Sequence, residues 1–310
     1  MKKFAIIPLA AALISAPSLA ADLNIGASFF NLDDRFAIGV RESMEQTAGE
    51  KGMEVSVEDA RDDIGRQLSQ VQNFIAAGVD GIIVQPVHSD STQAMTRAAE
   101  QAGIPLVYVN RQPMDIDSLP DNQAFVGSDE KESGTLQTQE VCRLLGGEGK
   151  LLVMMGTLGD IATEVRTQDV HDVIATPECS GLEIVEQQAA DYQRIEANDL
   201  MTNWLTSGIE FDAVIANNDE MAIGAIQALR NMGYDMDDVV VAGIDATSDA
   251  LAAMQAGELD VTVFQNGAAQ GEGAVDTLRR LIEGEEVDNA VWVPFELVTP
   301  DNIDEYLGRN

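Results

Sequence analysis

Residues 53–87 read MEVSVEDARDDIGRQLSQVQNFIAAGVDGIIVQPV, and the middle of this stretch differs in rhythm from its ends. MEVSVEDA (53–60) and GIIVQPV (81–87) have the composition of short strands. Between them, over 64–77, Leu68, Val71, Phe74 and Ile75 recur at helical spacing and share one face. Strand, helix, strand is the repeating unit of a parallel sheet with helices on its faces. The same alternation runs through the whole chain. LNIGASF (23–29), PLVYVN (105–110) and AFVGSD (124–129) complete a first run of strands. KLLVMMG (150–156), LEIVEQQA (182–189), AVIANN (213–218), VVVAGID (239–245) and VTVFQ (261–265) form a second. A long helix over 268–283 and an extended AVWVPFELVT (290–299) close the chain. The polar loop DIDSLPDN, just before residue 124, is the clearest seam between the runs. The expected fold class is α/β, with two doubly wound parallel-sheet lobes.

The first twenty residues, MKKFAIIPLAAALISAPSLA, carry Lys2 and Lys3, then an apolar stretch, then small residues. Ser18 and Ala20 stand at the −3 and −1 positions of a cut before Ala21, so residues 1–20 read as a secretory signal peptide. The remaining chain of about 290 residues is longer than one core usually holds, which again favours two lobes. The net charge is −35, or −37 without Lys2 and Lys3, and there is no basic patch. Nucleic acid and anionic membranes are therefore excluded as partners. Because 45% of residues are hydrophobic, the acids belong to a solvated surface and not to a disordered tail. Cys142 and Cys179 are the two cysteines; in an exported chain they are either a disulfide or two buried thiols. His88 and His171 stand alone, and no Cys/His spacing suits a metal, so no cofactor is expected.

In open parallel sheets, ligands sit beyond the carboxyl ends of the strands. Those ends read SFFNLDD, QPVHSD, VNRQP, GTLGD, QQAADY, ANNDE, GIDAT and VFQNG. The set meets the needs of a neutral polyol. A hydroxyl is both donor and acceptor, and is best held between a carboxylate and an amide or guanidinium. Asn110, Arg111, Arg166, Asn218, Asp245 and Gln265 supply such groups, and Phe30, Phe36 and Tyr192 supply flat walls for the C–H faces. Taken singly each has a plainer reading: Asn217 and Asp219 suit helix caps, and Phe36 suits the core. Enzyme readings have less support. No G-x-G-x-x-G follows the first strand, and neither a phosphate loop nor a G-x-S-x-G elbow exists. Acid pairs such as Asp33–Asp34 and Asp62–Asp63 are expected by chance among 53 acids.

These residues together resemble the periplasmic sugar-binding proteins of ABC importers, in the ribose-binding class. FDAVIANNDEMAIGAIQALRNMG (211–233) carries most of the resemblance. VVVAGIDAT (239–247), VTVFQ (261–265), IIVQPVHSD (82–90), VYVNRQP (107–113) and VGSDEKESG (126–134) add to it. The resemblance implies a type I periplasmic binding fold with a three-strand hinge crossing near 127–129, 264–266 and 294–297. One lobe would hold 22–128 plus 266–295, and the other 129–265 plus 296–310. It further implies ligand contacts from Phe36, Arg111, Arg166, Tyr192, Asn218, Asp245 and Gln265. Three departures argue against ribose: Asn110 replaces an Asp, Gln85 replaces an Asn, and Arg35 stands where a second Phe is usual. VYVNRQP with SFFNLDD looks like the inositol- and rhizopine-type branch, whose ligands are cyclic polyols. The implied protein is a periplasmic monomer that captures a cyclitol, myo-inositol first, and serves an ABC permease in the inner membrane. A pentose or hexose binder remains open, as does a module presenting its ligand to a chemoreceptor or sensor kinase.

Overall fold

The computed structural model describes residues 23–309; the signal peptide expected over 1–20 lies outside them. The first half runs β1 (Leu23–Phe29), α1 (Arg35–Glu50), β2 (Met53–Asp59), α2 (Ile64–Ala77), β3 (Gly81–Gln85), α3 (Thr92–Ala102), β4 (Leu106–Val109) and β5 (Gln123–Gly127). The second half continues with α4 (Glu130–Leu145), β6 (Glu148–Met155), α5 (Ile161–Ile174), β7 (Gly181–Ala189), α6 (Arg194–Ser207), β8 (Ala213–Ala216) and α7 (Asp219–Asn231). Then come β9 (Val240–Ala242), α8 (Ser248–Gln255), β10 (Thr262–Gln265), α9 (Gly267–Ile282), β11 (Ala290–Trp292) and β12 (Phe295–Val298).

The helix read from the 64–77 periodicity forms over those residues as α2. Asp63 caps it by accepting from the Arg66 N–H at 2.9 Å, and Gly78 ends it at φ 72°, a conformation that glycine adopts without steric cost. Val71 and Phe74 are buried against the sheet, with Leu68 and Ile75 packed beside them.

Two lobes result. The first sheet has the order β11-β5-β4-β3-β1-β2 and is parallel throughout. One face is covered by α1 and α9, around Ile25, Phe29, Val107 and Leu278. The other face is covered by α2 and α3, around Val84, Met95 and Tyr108. The second sheet runs β7-β6-β8-β9, again parallel. Bridges Ala242–Val261 and Asp245–Phe264 carry it on to β10, whose antiparallel partner is β12.

The expected single extended segment over 290–299 is two strands in different sheets. β11 pairs with β5 in the first lobe, and β12 pairs with β10 in the second. Pro294 lies between them and has no N–H to continue a ladder. With the passages after β5 and β10, the chain crosses between lobes three times.

Cys142, on α4, and Cys179, before β7, are joined in a disulfide across 37 residues of sequence. It ties α4 to the far edge of the second sheet. In the chain-entropy description, closing a loop of this length is worth about 4 kcal/mol. Reduction should therefore lower the free energy of unfolding by about that amount, read from urea titrations with and without reductant. An unchanged midpoint would mean that the bridge constrains nothing in the unfolded chain.

Candidate ligand-binding site

Each sheet reverses its strand order once: between β1 and β3 in the first lobe, and between β6 and β8 in the second. Loops diverge at such switch points and leave a crevice. The two crevices face one another, and a cavity between the lobes is lined from both sides.

From the first lobe come Phe30, directly after β1, then Asp34 and Phe36 at the start of α1. Asp34 caps α1, accepting from the Ala37 N–H at 2.8 Å; burial raises its pKa above the ordinary 3.8. Asn110, Arg111 and Gln112 follow β4. Asn110 has φ 64°, which Asn tolerates better than most residues, and this turns its amide back beside the strand ends. Its Oδ1 accepts from Gln85 Nε2 at 2.8 Å, and its Nδ2 donates to Gln270 Oε1 at 3.1 Å. Gln270 Nε2 in turn donates to Ser128 Oγ at 3.0 Å, beside the first crossing. The Arg111 guanidinium lies 3.6 Å over the Phe30 ring and donates to the Val87 carbonyl at 2.6 Å. Its Nε stands 3.8 Å from Asp160 Oδ2 of the other lobe.

From the second lobe, Arg166 on α5 is 4% exposed. Its Nε donates to Glu130 Oε2 and its Nη1 to the Asn217 carbonyl, both at 2.7 Å. Burial works against its charge, but Glu130, Tyr192 and Asp245 outweigh that and raise its pKa. Tyr192 accepts from Thr163 Oγ1 at 2.8 Å, and burial raises its phenol pKa. Gly156 lets the ring in, because a Cβ there would overlap it. Asn218 is the N-cap of α7. Asp245 has φ 125°, is 5% exposed, and is raised well above 3.8, first by burial; Arg166 pulls it down while Asp219 and Asp34 push it up. Such backbone strain in a buried acid is typical of functional sites. Gln265 ends β10 at the second crossing.

Nine of the ten sequence-proposed residues thus line one cavity: Phe30, Phe36, Asn110, Arg111, Arg166, Tyr192, Asn218, Asp245 and Gln265. The tenth, Gln85, is fully buried behind Asn110 and orients its amide without reaching the cavity. Asn217 is not a cap; its Oδ1 accepts from the Gly156 N–H and Thr167 Oγ1. Asp219 ties loops together, accepting from the Thr247 N–H and Thr262 Oγ1 at 2.8 Å each. Asp34, Gln112, Glu130, Asp160 and Ala162 also line the cavity and were missed. Asp160 closes GTLGD, one of the strand ends already quoted, so its position was readable there. Among the described residues, no cluster of His, Cys, Asp and Glu is arranged to hold a metal ion. No helix there is long and apolar enough to cross a membrane.

Two parallel-sheet lobes crossed three times by the chain, with polar and aromatic strand ends facing across a cleft, define a bilobal binder of small polar solutes. Residues 25–286 match the periplasmic binding protein domain, and the chain belongs to that family. It is 57% identical over 311 residues, all of both chains, to a putative rhizopine-binding protein of Rhizobium meliloti. It is 29% identical over 278 residues to the ribose import binding protein of Bacillus subtilis, covering 90% of this chain and 88% of that one. An ABC transporter solute-binding protein of Bacillus halodurans, solved with bound myo-inositol, superposes with a TM-score of 0.88 at 44% identity. That match covers 93% of this chain and 98% of the other. The family is one of solute-binding proteins and not of enzymes.

Proposed function

We propose that this protein captures a cyclitol, myo-inositol first, between its lobes in the periplasm and delivers it to an ABC permease of the inner membrane. The observation that carries the reading is the distribution of groups around the cavity. Carboxylates, guanidiniums and amides enter from both lobes, with Phe30, Phe36 and Tyr192 as flat walls. A ring with a hydroxyl at every carbon presents polar edges in all directions and C–H faces above and below, and uses such a set fully. The myo-inositol bound by the Bacillus halodurans protein and the rhizopine name of the Rhizobium relative support it.

Capture works by hinge motion about the crossings near 127–129, 264–266 and 294–297, with a single chain as the working unit. Ligand bonds to both lobes exist only when the lobes are together, so binding shifts the population toward closure. The free space in this cavity is about 60 Å³ here, whereas a cavity of roughly 150 Å³ admits a six-membered ring. Entry therefore requires the lobes apart, with Arg111 drawn off Asp160 and its donors turned to ligand hydroxyls.

A thermal-shift screen with inositols, pentoses, hexoses and linear polyols tests the assignment. At a hundred times its dissociation constant, the true ligand stabilises by about 2.7 kcal/mol. Arg111→Ala and Asp245→Asn should each abolish that shift while leaving a folded protein by circular dichroism; Asn keeps the size and shape of the Asp245 side chain. A pentose that shifts the melt while no inositol does would overturn the cyclitol reading.

A further inference from the structure

A second cavity, of about 180 Å³, lies in the same cleft on the outer side of Phe36. Its lining follows that of the first cavity one or two residues along each strand end. Arg35 follows Asp34, Glu220 follows Asn218, Thr247 follows Asp245, and Gly267 follows Gln265. Phe36 alone lines both. Its ring rests on Gly267, where a Cβ would come within 3.3 Å of the ring carbons. Phe36 is thus the wall that the two cavities share.

The two walls of this cavity differ. The α1 side offers an apolar patch of Phe36, Ile38 and Gly39, with the Glu42 carboxylate beside it, and nothing lies within 4 Å of a Cβ built on Gly39. The opposite side presents Glu220 and Asp249, both fixed by Arg194. Arg194 holds Glu220 at 2.8 and 2.7 Å and Asp249 at 2.8 Å. Ser248 adds a hydroxyl, and Arg35 reaches over from the first lobe to within 4.0 Å of Asp249, a donor at the outer edge. Fixed acceptors and a donor facing an apolar patch are what a hydroxylated ring requires. The volume is comparable to the roughly 150 Å³ that admits a benzene-sized ring, and the outer hydroxyls of a sugar would reach the cleft mouth at Arg35.

We propose that this cavity is a second subsite, which receives a sugar ring O-linked to the cyclitol, so that the ligand class extends to glycosylated cyclitols. The proposal rests on the cyclitol reading of the first cavity. Gly39 and Arg35 are then specificity residues: the first leaves room for the ring, and the second bonds its outer hydroxyls.

Calorimetric titration of the full chain with myo-inositol and with its mono-O-α-galactosides tests this. At least one galactoside should bind about tenfold more tightly than myo-inositol, the gain given by each 1.4 kcal/mol of added contact. Gly39→Leu places a side chain in the second cavity, its Cβ meeting nothing within 4 Å, and is a better helix former. It should remove that gain while leaving myo-inositol affinity within about threefold of the wild type. Arg35→Ala, at an exposed position, should weaken the galactoside and spare myo-inositol. If myo-inositol binds and no galactoside does, the subsite is refuted and the cyclitol reading stands. If a galactoside binds but neither variant affects it, the sugar ring lies elsewhere and the subsite is again refuted. If neither myo-inositol nor any galactoside binds, both readings fall.

Discussion

Arg166→Met is expected to lower the free energy of unfolding by about 3–5 kcal/mol and to abolish ligand binding. The size of the effect comes from what is left behind. Glu130, whose side chain is 7% exposed, loses the guanidinium 2.7 Å away and becomes a buried carboxylate without its cation. The Asn217 carbonyl loses a 2.7 Å donor, and Asp245 loses the positive charge that favours its ionised form. Urea titration measures the stability term and calorimetry the binding term. A buried ion pair replaced as a unit often costs little, whereas removing one partner costs much. Glu130→Gln combined with Arg166→Met should therefore recover a large part of the stability and none of the binding. A single variant that unfolds within 1 kcal/mol of the wild type would show that Glu130 is hydrated and that the pair does not organise this side of the cleft.

The legible part of the molecule was the part governed by local rules. Helical spacing over 64–77 and the apolar runs at 81–87 and 213–218 depend only on nearby residues and a buried sheet. The polar exits from those strands pointed to the cleft because topology, and not packing detail, decides where strand ends meet. The illegible part depends on direction. Gln85 ends β3 much as Asn110 follows β4, yet one turns into the core and the other into the cavity; the backbone at Asn110, with φ 64°, decides that. Asp34 and Glu130 were hidden for a different reason. In a chain with 53 acids, a carboxylate in a cleft looks like one on the surface until its burial is known. Capping and ligand contact also overlap, because Asn218 and Asp34 both cap a helix and line the cavity. A cap and a ligand contact use different lone pairs of one side chain, so each sequence signal is compatible with the other.

Stability should fall as pH rises from about 4 to 8, and Asp169 should be a principal cause. This residue lies one turn beyond Arg166 on α5, is 6% exposed, and has a buried Oδ2 with no hydrogen-bond partner. Its pKa is pushed from 3.8 up to about 7. Burial is the largest cause, opposed by the Thr135 amide and reinforced by Asp172, Glu130 and Asp129. Between those two values the folded chain keeps a proton that the unfolded chain releases. The favourable contribution is complete below the unfolded pKa and is lost as pH rises through the folded one. At 1.36 kcal/mol per unit, the full effect reaches up to about 4 kcal/mol. Asp219, also raised to about 7 by burial, acts in the same direction. The measurement is a pair of urea midpoints at pH 5 and pH 8 for the wild type and for Asp169→Asn. Asparagine keeps the shape without the charge, so the variant should lose much of the drop between the two pH values, leaving the share due to Asp219, Asp245 and Asp34, which burial also raises. A wild-type drop that Asp169→Asn leaves intact would place the titrating group elsewhere in the fold. A wild type equally stable at both would mean that Asp169 ionises at an ordinary pH, with water reaching its open oxygen.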